Sequence, residues 1–302
     1  MIAFVFPGQG TVRVGMGGWL RRDTVASPVL ARAEEVLGIP LAELCTRGPL
    51  DRLVSTEVAQ LAVTSCNLAA LAVLRERGVS PDLVAGHSVG ELSALCAAGV
   101  LDVDATLELV AVRSRLMAGV PDHGGMTAVL GPRPDVVATW AAKVSTPDEP
   151  LVVGLANAPD HTVVSGSFRA IERLSDVAGA DPATRKVVPL SVGNAFHSPL
   201  MEPAAAAWAE AVAAVPMAAP RVPVVPNTTA EPTTDAGVLR TALIEQLTAP
   251  VRWTETMGHL TGADRCVEVG DSKVLSGLLR GVGVRCASLA DPAALRQVVR
   301  AG

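Results

Sequence analysis

The 302-residue chain has no tyrosine and three lysines, Lys143, Lys186 and Lys273, so arginine carries almost all of its positive charge. Its formal net charge is −5, and no basic run is interleaved with aromatic residues. The electrostatic footprint needed to hold a nucleic-acid backbone is therefore missing. The five cysteines, at positions 45, 66, 96, 266 and 286, are odd in number and lack Cys-x-x-Cys spacing. That argues for reduced thiols and against a disulfide framework or a zinc site. Met1-Ile2-Ala3-Phe4-Val5-Phe6 has no basic start and runs straight into Pro7-Gly8, unlike a secretory signal. No uninterrupted apolar stretch reaches the roughly 20 residues that span a bilayer. A soluble, cytoplasmic protein without nucleic-acid or membrane partners is expected. The scarcity of lysine beside abundant Ala, Val and Gly reads as genome composition rather than function.

What is present in quantity is apolar surface. At 49% hydrophobic, the chain can bury one large core, or one core with a smaller inserted unit. Its two ends alternate short apolar strands with longer helical stretches, as a parallel sheet covered by helices requires. Between them the pattern changes. Met126 to Leu130, Pro134 to Val144, Leu151 to Leu155, Thr162 to Ser165, Phe168 to Ala178 and Lys186 to Leu190 read strand, helix, strand, strand, helix, strand, a ferredoxin-like order. The expected fold is α/β: a large α/β-hydrolase-like domain with a parallel sheet, from 1–123 and 193–302, and a small ferredoxin-like subdomain inserted over 124–192.

The most informative segment is Ala85-Gly86-His87-Ser88-Val89-Gly90-Glu91-Leu92-Ser93-Ala94. Pro81 to Ala85 reads as a short buried strand and Val89 to Ala98 as an apolar helix starting at Ser88, so Gly-x-Ser-x-Gly falls on a strand-to-helix turn. In such a nucleophile elbow, small residues two before and two after the serine let strand and helix approach closely enough for Oγ to project into a cleft. The Val89 backbone N–H would then point at whatever Ser88 attacks, assisted by the positive end of the helix dipole. Short Gly-x-Ser-x-Gly patterns also arise by chance, and it is the strand-before, helix-after context that favours catalysis.

A nucleophilic serine needs a base, and the histidines are His87, His123, His161, His197 and His259. His87 adjoins Ser88 on the strand side and should point away from it. His123 and His161 lie in Gly/Pro/Asp-rich turns, and His259 in a helical stretch. His197 ends the apolar run Val187 to Phe196, where a strand would open into a loop, and strand ends of parallel sheets collect catalytic groups. A lone histidine is more often structural, so position alone supports His197 weakly. Asp104 to Ala118 reads as a helix with Leu107, Val110, Ala111, Ser114 and Met117 on one stripe and Arg113 beside it. A planar five-donor guanidinium can grip a carboxylate bidentately, although periodicity alone favours a solvated surface arginine, a role Arg115 could fill.

Five motifs stand in a telling order: Phe4-Val5-Phe6-Pro7-Gly8-Gln9-Gly10, Gly86-His87-Ser88-Val89-Gly90-Glu91, Val112-Arg113-Ser114-Arg115-Leu116-Met117, Ala195-Phe196-His197-Ser198 and Pro250-Val251-Arg252-Trp253. From end to end the chain resembles the malonyl-CoA:acyl carrier protein transacylases. The resemblance implies that Ser88 is acylated and His197 is the general base. It further implies that the backbone N–H groups of Gln9 and Val89 form the oxyanion hole, and that Arg113 holds the substrate's free carboxylate. Gln246 matches the position whose backbone carbonyl orients the histidine, a dyad rather than a triad with Asp. Gln60 and Asn157 resemble pocket-lining positions. Malonyl-selective relatives carry Ala-Phe-His where methylmalonyl-selective ones carry Ala-Ser-His, so Ala195-Phe196-His197 implies malonyl. Phe196 would fill the space of an α-methyl branch, and Val89 fits malonyl better than the glutamine common in methylmalonyl types.

The sequence also departs from the family pattern. The usual Gly-Gln-Gly-Ser-Gln is Gly8-Gln9-Gly10-Thr11-Val12, the usual Gly-Pro-Gly loop is Gly270-Asp271-Ser272, and the usual Gln-Pro pair is Gln60-Leu61. These changes bear on fine specificity and the carrier partner more than on the reaction. The implied activity moves malonyl from malonyl-CoA through Ser88 to the phosphopantetheine thiol of an acyl carrier protein, by a monomer that needs neither metal nor redox cofactor. The alternatives are a thioester hydrolase that clears carrier proteins with the same serine and histidine, and a non-catalytic docking scaffold for carrier proteins.

Overall fold

The computed structural model describes residues 1–121 and 124–300. Among them nine strands occur: β1 (Ile2–Phe6), β2 (Leu83–Gly86), β3 (Gly124–Leu130), β4 (Leu151–Ala158), β5 (His161–Ser167), β6 (Lys186–Pro189), β7 (Val224–Val225), β8 (Arg265–Glu268) and β9 (Cys286–Ser288). One sheet runs β7-β2-β1-β8-β9 with every neighbouring pair parallel. A parallel sheet is covered on both faces, so its strands can be apolar without alternation. Ala3, Phe4, Val5 and Phe6 are accordingly all buried.

Helix Thr56–Glu76 is buried nearly all round and packs on helices Val103–Gly119 and Ala26–Leu37. An 18-residue window of this helix has a mean hydropathy of 1.5, enough by length and composition alone to cross a membrane. Gln60, Thr64, Ser65 and Asn67 interrupt the apolar run, so no uninterrupted stretch of spanning length exists here, as expected from the sequence, although the average over the window is high. In the fold, 89% of its most apolar window lies inside the protein, so the hydrophobicity is that of a core helix.

The second sheet, β4-β5-β3-β6, is antiparallel throughout. Helices Pro134–Val144 and Phe168–Ala180 connect β3 to β4 and β5 to β6, which gives the ferredoxin-like order. Val137, Ala141, Ala170, Leu174 and Ala178 on these helices bury against Val129, Leu151 and Val164 on the strands. The fold is thus the expected α/β-hydrolase-like body with a small ferredoxin-like unit inserted. β4 is tied back to the large body where the Val251 N–H donates to Gly154 O at 2.8 Å and the Ala156 N–H to Val251 O at 3.0 Å.

Two local expectations need correction. His161 opens β5 instead of lying in the preceding turn, since its Cα already pairs with Leu130. β6 ends at Pro189, so His197 does not end a strand; it follows an irregular stretch, 190–196. The Leu190 N–H makes a last bond to Met126 O at 2.9 Å, and Asn194 then anchors the loop by donating from Nδ2 to Val120 O at 2.8 Å and Met117 O at 3.3 Å.

Candidate active site

The elbow is a packing necessity before it is a chemical one. A Cβ added at Gly86 would lie 2.1 Å from backbone atoms of Gly90, and one added at Gly90 would lie 2.2 Å from the carbonyl oxygen of Phe6. Only glycine lets β2, β1 and helix Gly90–Ala97 meet this closely. Ser88, between them, has φ 54°, in the left-handed region that non-glycine residues rarely adopt. Asn227 braces that conformation. Its Nδ2 donates to Gly86 O at 2.6 Å and its Oδ1 accepts from the Ser88 N–H at 2.7 Å.

Ser88 Oγ lies 2.7 Å from His197 Nε2. On the other side of the ring, Nδ1 faces two backbone carbonyls, Gln246 O at 2.9 Å and Ala249 O at 3.2 Å. Carbonyls only accept, so Nδ1 carries the proton and Nε2 is the free base that accepts from the serine hydroxyl. Burial, reinforced by the positive charge of Arg113, pushes His197 down to about 3. The imidazole is therefore neutral at neutral pH.

Arg113 is 1% exposed, in the buried stripe of helix Val103–Gly119 with Leu109, Val110 and Met117, whereas Arg115 is the exposed arginine. Its Nη1 donates to Gln60 Oε1 at 2.5 Å and its Nη2 to Gln246 Oε1 at 2.9 Å, with Ser88 Oγ 3.3 Å from Nη2. Burial lowers it to about 10 against the opposing pull of Glu91, so it stays cationic at neutral pH. A solvated surface role is excluded.

These groups open on a cavity of about 380 Å³. Gln9, Asn157, Phe196 and apolar side chains including Val12, Leu275 and Leu278 line it with Ser88, Arg113 and His197. Gln60 and Gln246 do not line the cavity and act on it through lining residues, Gln60 through Arg113 and Met117 and Gln246 through Arg113, His197 and Ser88. Gln9 begins a short 3-10 turn facing the elbow. Among the described residues, neither its backbone N–H nor that of Val89 has a hydrogen-bond partner.

His87 directs its Nε2 to Asn157 Oδ1 at 2.8 Å and stacks edge-on against Trp253 with centroids 5.3 Å apart, so it turns its hydrogen bond away from Ser88 as expected. It nevertheless lines the same cavity, as does His161. His259 sits in helix Trp253–Leu260, 3.9 Å from Glu231, and His123 lies outside the described residues. Sequence reasoning missed two buried residues. Asn227 had no signal, because the partners of its side chain are 139 to 141 positions away. Glu91 did have one: an acid three residues after the serine in a helix otherwise made of Gly, Leu, Ser, Ala and Cys.

A serine on such an elbow, hydrogen-bonded to a neutral histidine beside a buried guanidinium, is an arrangement able to carry out nucleophilic acyl chemistry, and the acyl transferase domain family matches residues 3–279. The malonyl CoA-acyl carrier protein transacylase of Bacillus subtilis is 36% identical over 306 residues, covering 99% of this chain and 96% of that protein. An acyl-carrier-protein S-malonyltransferase from Burkholderia pseudomallei superposes with a TM-score of 0.94 at 33% identity, over 99% of both chains. A malonyl-transacylase solved with its type II polyketide acyl-carrier protein also gives 0.94 at 33% identity, over 100% of this chain and 99% of that one. The chain belongs to the malonyl CoA-acyl carrier protein transacylase family and is an acyltransferase enzyme.

Proposed function

We propose that this enzyme moves a malonyl group from malonyl-CoA, through an ester on Ser88, to the phosphopantetheine thiol of an acyl carrier protein. His197 Nε2 takes the Ser88 proton as Oγ attacks the thioester carbonyl. The tetrahedral oxyanion rests on the N–H groups of Gln9 and Val89, which are free to donate. Collapse breaks the carbon–sulfur bond, and His197 returns its proton to the departing CoA sulfur. The carrier's thiol then attacks the ester by the reverse path, giving its proton to His197, which passes it to Ser88. The Gln246 carbonyl holds His197 in the productive tautomer throughout, so no acidic third member is needed. No step calls for a metal or redox cofactor.

The observation that carries this reading is the cation: Arg113 Nη2, buried, 3.3 Å from the attacking oxygen. A free carboxylate on the acyl group would neutralise it, and Asn157 and Phe196 would shape the remaining space. The same reading divides the chain at 1–123 and 193–302 against 124–192, with the cleft between the two units, in a cytoplasmic monomer. Incubation with radiolabelled malonyl-CoA, with and without a phosphopantetheinylated carrier protein, tests it. Label should pass to the carrier. Release of free malonate would favour a thioester hydrolase, and no bound label a docking scaffold.

A further inference from the structure

We propose that Glu91 is a positioning residue that fixes the orientation of the Gln246 side-chain amide and, through it, presents Arg113 to the substrate carboxylate. The inference rests on the function proposed above and adds a residue to it. Glu91 is fully buried in the first turn of helix Gly90–Ala97, one turn after Ser88. One oxygen, Oε2, accepts from the Asn227 backbone N–H at 3.0 Å and from Gln246 Nε2 at 2.6 Å. The same Nε2 also lies 3.2 Å from Ser88 O, while Gln246 Oε1 accepts from Arg113 Nη2 at 2.9 Å.

A glutamine amide can be turned end for end with little change in shape, so its neighbours must choose for it. Here the choice is forced from both sides. The Glu91 oxygen and the Ser88 carbonyl can only accept, which claims the NH₂, and Arg113 can only donate, which claims the oxygen. Remove the Glu91 acceptor and the shorter of the two contacts on the NH₂ goes, leaving Ser88 O at 3.2 Å. Held on its NH₂ side by that longer contact alone, the amide can swing away from the guanidinium, and Arg113 loses the fixed acceptor that aims it. The base is spared, because His197 is held by the backbone carbonyls of Gln246 and Ala249 and not by the amide.

The second oxygen of Glu91, Oε1, is buried and has no hydrogen-bond partner among the described residues. Burial pushes the carboxyl up to about 7, with the nearby Arg113 pulling the other way. In the protonated acid the hydrogen would sit on Oε1 and leave Oε2 accepting from both donors. The positioning therefore works in either protonation state, and a glutamine at 91 would present an oxygen at the same place.

The test compares kcat/KM for malonyl-CoA and acetyl-CoA in wild type, Glu91→Leu, Glu91→Gln, Glu91→Asp and Arg113→Ala. Acetyl-CoA brings no carboxylate, so an arginine that is badly aimed harms only malonyl transfer. Glu91→Leu is expected to lower the malonyl-to-acetyl ratio by at least about tenfold, the worth of a hydrogen bond to a charged group. Glu91→Gln should restore most of the ratio. Should the leucine variant fail to fold, Glu91→Asp, which draws the acceptor back by one methylene, is expected to lower the ratio in the same direction. Equal loss of both substrates in the leucine or aspartate variant, with the ratio unchanged, would make Glu91 a structural brace and overturn the proposal. If Arg113→Ala leaves the ratio intact, the fault lies with the proposed function; if it collapses the ratio while Leu and Asp at 91 do not, only the role of Glu91 fails.

Discussion

Ser88 and His197 meet at 2.7 Å and share an unusual backbone, both being in the left-handed region at φ 54° and 58°. For non-glycine residues each such conformation costs on the order of 1–3 kcal/mol and persists only where the surroundings enforce it. Asn227 enforces it at Ser88. At His197 the preceding carbonyls are held instead: Phe196 O accepts from Ser165 Oγ at 2.5 Å and Ala195 O from Ser198 Oγ at 2.6 Å. The pair is therefore strained on both sides in order to face across the cleft. Ser88→Gly and Ser88→Ala should both be inactive. Only the glycine relieves the strain, so thermal melts should place Ser88→Gly above Ser88→Ala by about 1 kcal/mol. Equal melting would mean that Ser88 stores no strain.

The chemical roles of the pair separate by method. Intact-mass measurement after brief exposure to malonyl-CoA should show one malonyl adduct that Ser88→Ala abolishes, and an adduct surviving that change would move the nucleophile elsewhere. His197→Ala should still bind the substrate but acylate about two to four orders of magnitude more slowly, the usual worth of a positioned base. Single-turnover acylation measures this free of product release. An unchanged rate would point to His87 or His161, the other histidines of the cavity.

Two of the perturbed buried groups, His197 and Glu91, set opposite slopes of stability against pH. His197, pushed down to about 3, stays neutral in the fold while the unfolded chain takes up a proton below about 6.5. The native state therefore loses stability as pH falls through that window. Glu91, pushed up to about 7, holds a proton in the fold at pH values where the unfolded side chain has lost it, so its contribution falls as pH rises from about 4.5 to about 7. Replacing Glu91 by glutamine removes only the second slope. The melting temperature of Glu91→Gln relative to wild type should climb across that range, and a constant difference would mean that Glu91 titrates normally in the fold.

Much of this was legible in the sequence because the signals were local. The elbow glycines announce the close approach that the clash of a Cβ at Gly86 or Gly90 makes explicit, and the strand and helix alternation over 124–192 reads out the ferredoxin-like order almost element by element. Arg113 was ambiguous for a physical reason. A helical stripe with a single arginine looks solvated unless the acceptors that neutralise its donors are known, and Gln60 and Gln246 come from 53 and 133 positions away. The long loop before His197 was hidden by its own apolarity, since Leu190, Val192, Ala195 and Phe196 pack inward without belonging to a strand. Glu91 leaves a trace, as the one charge in a helix otherwise of Gly, Leu, Ser, Ala and Cys, but its partners and those of the Asn227 side chain close only in three dimensions.

Discrimination against α-branched acyl groups should be a matter of volume at Phe196. The residue lines the cavity with Met117 and Met126 and is 6% exposed. Its backbone is pinned through Phe196 O on Ser165, so the ring cannot withdraw by a shift of the chain. Phe196→Ser empties most of that space, and one methyl group accommodated instead of excluded is worth roughly ten- to a hundredfold in kcat/KM. The ratio of methylmalonyl-CoA to malonyl-CoA transfer should rise by that factor. The substitution will also lower stability, because shrinking a largely buried aromatic side chain leaves a void. A ratio taken on one preparation cancels the fraction of enzyme that is folded, so loss of stability cannot imitate a gain in the ratio. An unchanged ratio with both substrates slowed would make Phe196 a packing residue and return the specificity question to Val89 and the two methionines.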